Sequence, residues 1–124
     1  MAQFEKTYDL EKRTLEFSNE LIVFCKFCPK DIVTTPLISQ LIRSGTSIGA
    51  NYMETNGGSS RKDFQNKISI CKKEAQETKH WLRMLLKYFS MKEQEIKKLW
   101  NEAHELTLIF QKIVYSTKHN QIKS

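Results

Sequence analysis

Residues Gln40 to Phe64 read QLIRSGTSIGANYMETNGGSSRKDF. The apolar residues recur at helical spacing, yet the stretch is crowded with Ser, Gly, Thr, Ala and Asn. Between Leu37 and Gly58 only Arg43 and Glu54 are charged, in a chain that is 27% charged. A surface helix carries charge on its outer side. A helix this neutral is expected to press against neighbours on several sides. Glycine inside a helix costs ~1 kcal/mol relative to alanine, so Gly45 and Gly49 call for a compensating close contact. Ile38, Leu41, Gly45, Ile48 and Tyr52 form an apolar line. Opposite it runs a polar line of Gln40, Arg43, Ser47, Asn51 and Glu54 that contains no lysine. One expectation is that this polar line is hydrogen-bonded inside an oligomer. The plainer reading is an exposed polar face with two tolerated glycines.

Punctuation on either side divides the chain. Cys28-Pro29-Lys30-Asp31 closes a first helix, since proline cannot continue one. Thr35-Pro36 reads as the start of a second, with Thr as cap and Pro in the first turn. Asn56-Gly57-Gly58 ends it. Ser60-x-x-Asp63 resembles a capping box for a third. Phe89-Ser90-Met91 turns the third helix into a fourth. Each segment has its stripe: Leu10, Thr14, Phe17, Leu21, Phe24, Cys25 and Cys28 on the first; Ile38, Leu41, Ile42, Ile48 and Tyr52 with the two glycines on the second. The third gives Phe64, Ile68, Cys71, Ala75, Thr78, Leu82, Leu85 and Phe89, and the fourth Ile96, Leu99, Trp100, Ala103, Leu106, Phe110 and Val114. The expected fold is all-α: one antiparallel up-down-up-down four-helix bundle spanning 1–124, with helices at about 8–28, 36–56, 60–89 and 92–118 and fraying after that.

Composition agrees. A chain of 124 residues with two prolines and four glycines suits long helices. No apolar run approaches the ~20 residues of a membrane span, and MAQFEKTYDLEKR lacks an apolar signal core. We therefore expect a cytoplasmic protein with no membrane partner. Cys25-x-x-Cys28 is half of a zinc or redox pattern without its second half, and His80, His104 and His119 follow no ligand spacing. Buried thiols on apolar faces are the better reading.

The net charge of +6 is uneven. Residues 1–60 carry six basic and seven acidic side chains; residues 61–124 carry fourteen and seven. The third helix holds a basic ridge of Arg61, Lys72, Lys79, Arg83 and Lys87, with Gln65 and Gln76 between them and Lys62 and Lys73 nearby. Asp63, Glu74 and Glu77 sit elsewhere on the helix. Cations along one face can track a phosphate backbone; a solvated charged face is the alternative. Ile70, Trp81 and Tyr88 on the third helix, and Tyr8, Leu15 and Ile22 on the first, flank the core stripes. They fit either subunit contacts or a wider core.

Enzyme chemistry is not expected. Gly57-Gly58-Ser59-Ser60-Arg61-Lys62 lacks the spacing of a P-loop. Glu77-Thr78-Lys79-His80 matches the Glu-x-x-His of di-iron bundles once, with no second copy. No cofactor and no metal are expected.

Residues 40–86 resemble the signature of the bacterial four-helix-bundle proteins encoded by intervening sequences in 23S ribosomal RNA genes. The likeness is strongest in Arg43-Ser44-Gly45-Thr46-Ser47-Ile48-Gly49-Ala50-Asn51, in Ser60-Arg61-Lys62-Asp63-Phe64, and from Glu74-Ala75 to Trp81-Leu82. Where that family often continues Ala-Asn with Ile-Ala-Glu, this chain has Tyr52-Met53-Glu54, so two neighbours are bulkier. The resemblance implies a bundle assembled into a ring, commonly a homopentamer. It also implies kinship with the accessory protein of diversity-generating retroelements, a basic pentamer that binds nucleic acid and partners a reverse transcriptase. The expected function is a non-enzymatic, oligomeric binder of structured RNA or RNA–DNA. Arg61, Lys62, Lys72, Lys73, Lys79, Arg83 and Lys87 would meet phosphates. Gln40, Arg43, Ser47, Asn51, Glu54, Trp81 and Tyr88 would serve assembly. The rival is a protein-interaction scaffold that binds no nucleic acid.

Overall fold

The computed structural model describes residues 2–57 and 60–123, with side chains described for 10–57 and 60–119. Four α-helices account for most of it: α1 (Ala2–Lys26), α2 (Thr34–Met53), α3 (Arg61–Leu86) and α4 (Glu93–Lys123), with single 3-10 turns at Glu54–Asn56 and Ser90–Lys92. Among the described residues there is no strand.

Local chemistry sets the helix ends. After α1 stops at Lys26, the Lys30 ammonium donates to the carbonyls of Cys25 and Cys28 at 3.0 and 3.1 Å, satisfying acceptors a helix C-terminus leaves open. The start of α2 differs from the Thr35-Pro36 expectation. Asp31 Oδ1 accepts from the backbone N–H groups of Val33 and Thr34, at 2.9 and 2.8 Å, and Thr34 Oγ1 accepts from Asp31 N–H. The reciprocal pair Asp31/Thr34 therefore caps the helix, and Pro36 lies inside its first turn, where its missing N–H is harmless. Ser60 caps α3 as its spacing suggested, its hydroxyl accepting from Asp63 N–H at 3.1 Å. α4 continues to Lys123, past the Lys118 expected.

Opposed contacts run in reverse order along neighbouring helices. Between α2 and α3, Glu54 meets Lys67, Ile48 meets Cys71, and Ser44 meets Thr78. Between α3 and α4, Lys79 meets His104, and Arg83 shares a groove with Trp100. α1 closes the bundle by packing on α2 and reaching α4.

The core is built from the stripes. Phe17, Leu21, Leu41, Ile48, Ile68, Leu82, Leu85, Ile96, Leu106 and Phe110 are fully buried, and all three cysteines are buried and free. Burial pushes the Cys25 and Cys71 thiols up to about 12. Thr14, Ser18, Ser44, Thr78 and Thr107 are also buried. Each returns its hydroxyl to a carbonyl one turn back, which explains how polar residues enter a core. Ile42, expected inside, is partly exposed on the outer side of α2.

The two helical glycines find their compensation within the chain. A methyl added at Gly45 would lie 2.6 Å from Leu21 Cδ1, and one added at Gly49 would lie 3.1 Å from Thr14 Oγ1. Bare backbone at these two positions is what lets α1 lie down on α2.

Candidate nucleic-acid interface

Charge on α3 is sorted between its two neighbours. On the α2 side, the Arg43 guanidinium donates to Glu74 at 3.2 Å and to Glu77, while Lys67 pairs with Glu54. Glu77 is held below the usual carboxylate range, first by the hydrogen bond from Arg43. Glu74, nearly buried, is pushed up, first by loss of solvent and then by neighbouring Glu77. Glu74 and Glu77 of α3 are thus held by α2.

Lys67 apart, the cations of α3 pair with no acid among the described residues. Among the described residues, Arg61, Lys62, Lys72, Lys73, Arg83 and Lys87 make no ion pair. Lys79 Nζ lies 3.0 Å from His104 Nδ1 and 5.0 Å from the centre of the Trp100 ring. Trp100 and His104 stack at 5.1 Å with 13° between planes. Gln76, Lys79, His80, Arg83, Met84 and Trp100 line an open groove of about 490 Å³. Next to it, Arg83, Leu86, Ile96, Lys97, Trp100 and Asn101 form a smaller, more apolar depression.

The register set by Lys79 and His104 places Lys72 two helical turns further along the same seam, opposite Gln111. Arg83 to Lys72 spans ~16 Å of helix at 1.5 Å per residue. Arg61 lies further toward the start of α3 and Lys87 beyond Arg83. Lys62 and Lys73 are exposed on the outer side of the helix. The structure therefore brings Lys79 and Arg83 into one groove, with Lys72 two turns further along the same face of α3, and leaves the other four outside it.

Sequence reading missed the α4 half of this seam. Lys97, Trp100 and His104 recur at three- and four-residue spacing, but Trp100 was absorbed into the core stripe. Its indole does pack against the core, and it also contributes to the groove wall, with Nε1 buried and unpartnered among the described residues. The opposite seam of α4, against α1, has the other sign. There Arg13 Nε and Nη2 donate to Glu102 at 2.6 and 2.8 Å, and Glu16, Glu20 and Glu105 line the same groove.

The polar line of α2 has partners within the chain. Arg43 Nε donates to Gln40, Ser47 Oγ to the Arg43 carbonyl and Asn51 Nδ2 to the Ser47 carbonyl, while Glu54 holds Lys67. Trp81 is half-buried and edge-on to His80 at 4.8 Å, and Tyr88 is about half exposed. Leu15, Ile22 and Ile70 are exposed beside the core; the Tyr8 side chain falls outside the described residues. Among the described residues no cluster of His, Cys, Asp and Glu could hold a metal, and no helix is long and apolar enough to cross a membrane.

Comparison with known proteins agrees with this architecture. None of the proteins of curated function matches the chain. A crystal structure at 1.70 Å of a protein of unknown function from the S23 ribosomal protein family of Bacteroides thetaiotaomicron superposes with a TM-score of 0.77 at 32% identity, covering 85% of this chain and 97% of that one. The family model of the 23S rRNA-intervening sequence protein matches residues 6–112. The chain belongs to the 23S rRNA-intervening sequence protein family.

Proposed function

We propose that this is a non-enzymatic nucleic-acid-binding bundle that meets the phosphates of structured RNA or RNA–DNA along the α3/α4 seam. The observation that supports the reading is the sorting of charge. Arg43 of α2 takes up Glu74 and Glu77, while Lys79 and Arg83 line one groove, with Lys72 two turns further along the same face of α3 and Lys97, paired to Glu93, in the adjoining depression. The α1/α4 seam, where Glu16, Glu20, Glu102 and Glu105 outnumber Arg13 and Lys98, would disfavour the same ligand and so orient it. In this reading the chain acts in the cytoplasm as a homo-oligomer, the pentamer that the resemblance implies. Its contacts would fall on Leu15, Ile22, Ile70, Trp81 and Tyr88 and along the α2 line from Gln40 to Glu54.

The test is binding to a folded RNA and to an RNA–DNA hybrid across a salt series. The log of affinity should fall linearly with the log of salt, and Lys72→Glu/Lys79→Glu/Arg83→Glu should abolish binding with the helical content unchanged. Absence of binding at low salt overturns the proposal in favour of a protein-interaction scaffold. Light scattering tests the assembly: a monomeric mass overturns the oligomer.

A further inference from the structure

We infer that the α3/α4 groove receives an unpaired nucleotide of the bound strand, its base packed against Trp100 and its phosphate met by Lys79 and Arg83. The inference rests on the nucleic-acid reading above and narrows it to a strand that offers an unstacked base.

A row of cations needs only phosphates; this groove has more than cations. It is an open groove of about 490 Å³ with an aromatic ring in its lining. Trp100 packs against the core yet still contributes to the groove wall, and His104 stacks on one of its faces. Lys79 is tied to His104 Nδ1 and over the indole, so its charge is fixed inside the groove. Arg83 and His80 lie at the opposite wall, exposed. A guanidinium there can stack on a base or donate in pairs to phosphate. Gln76 adds an amide able to both donate and accept along a base edge. Aromatic walls with flanking cations are how proteins hold single strands, since every base offers a π-face. A duplex could lay its phosphates on the rim, but its bases are committed to their own stack.

The test uses Trp81→Phe, which leaves Trp100 as the sole indole. The probes are a short unstructured RNA strand, the same strand made of abasic nucleotides, and its duplex. The intact strand should quench Trp100 fluorescence and bind about ten-fold tighter than the abasic strand, a loss typical of one stacked base. Abasic strand and duplex should bind with steep salt dependence and no quenching. Equal affinity for intact and abasic strands, with no quenching by either, overturns the inference and leaves the phosphate reading standing. Binding by none of the three at low salt overturns both. Should Trp81→Phe lose helical content, Trp100→Phe in the otherwise native chain gives the same decision by anisotropy. A several-fold loss for the intact strand with duplex affinity unchanged supports the inference, and equal losses on both overturn it.

Discussion

Gly45→Ala isolates the close approach on which the bundle depends. The new methyl would sit 2.6 Å from Leu21 Cδ1 and 3.2 Å from Cδ2. Unstrained carbon contacts lie at about 3.5–4.0 Å, so Leu21 or the whole of α1 must retreat by about 1 Å. Leu21 is 0% exposed and has no solvent to turn into. Overpacking a filled core costs about 1–3 kcal/mol, while replacing a mid-helix glycine with alanine returns ~1 kcal/mol. The expected net loss is about 1 kcal/mol, or about 4 °C in Tm for a chain of this size. Urea unfolding followed by circular dichroism, at matched protein concentration, measures it. A double-mutant cycle then tests the cause. Leu21→Val removes both Cδ atoms, so in that background Gly45→Ala should stabilise by ~1 kcal/mol, the bare helix propensity. If Gly45→Ala stabilises the native chain as well, the helices are not in the contact described and the reasoning fails.

Further outcomes follow from the electrostatics and the thiols. Glu77→Gln should destabilise at neutral pH by ~1 kcal/mol or less, the scale of a partly exposed pair. Glu74→Gln should be neutral or mildly stabilising, because burial already opposes the charge on Glu74. Losses of equal size in both variants would contradict this assignment. Asp31, held below the usual carboxylate range by the Thr34 and Val33 hydrogen bonds, favours the fold when ionised. Its contribution is present above the ordinary carboxylate range and is lost as pH falls through its lowered value. Asp31→Ala should therefore lower the urea midpoint at neutral pH and leave it unchanged in acid; a pH-independent difference would rule the cap out. Cys25 and Cys71, pushed up to about 12, and buried Cys28 should not react with a thiol reagent in the native protein at neutral pH. Release should track global unfolding in urea, and fast labelling of the folded chain would show the thiols are accessible.

Membership of the 23S rRNA-intervening sequence protein family was legible from residues 40–86 alone. The reason lies in where those residues sit. Gly45 and Gly49 receive α1, Ser44 bonds Thr78, and Arg43 clasps Glu74 and Glu77, so the signature is mostly the set of contacts that hold α2 in the bundle. The same contacts explain the paucity of charge that first marked the stretch. Part of the polar line of α2 is also bonded within the chain, through Gln40, Arg43, Ser47 and Asn51.

Sequence by itself determined the four helices and most of their inward faces, because each depends on spacing within a single segment. The Asp31/Thr34 start of α2 escaped it because two caps competed locally, and hydrogen-bond geometry decided between them. Burial of Ser44, Glu74 and Thr107 escaped it because a hydroxyl or carboxylate enters a core only where a particular carbonyl or guanidinium receives it. The groove of Lys79, Arg83 and Trp100 was decided by tertiary structure alone. Its two walls lie on different helices, and only the antiparallel register of α3 against α4 brings Lys79 to within 3.0 Å of His104 and sets an indole between the cations.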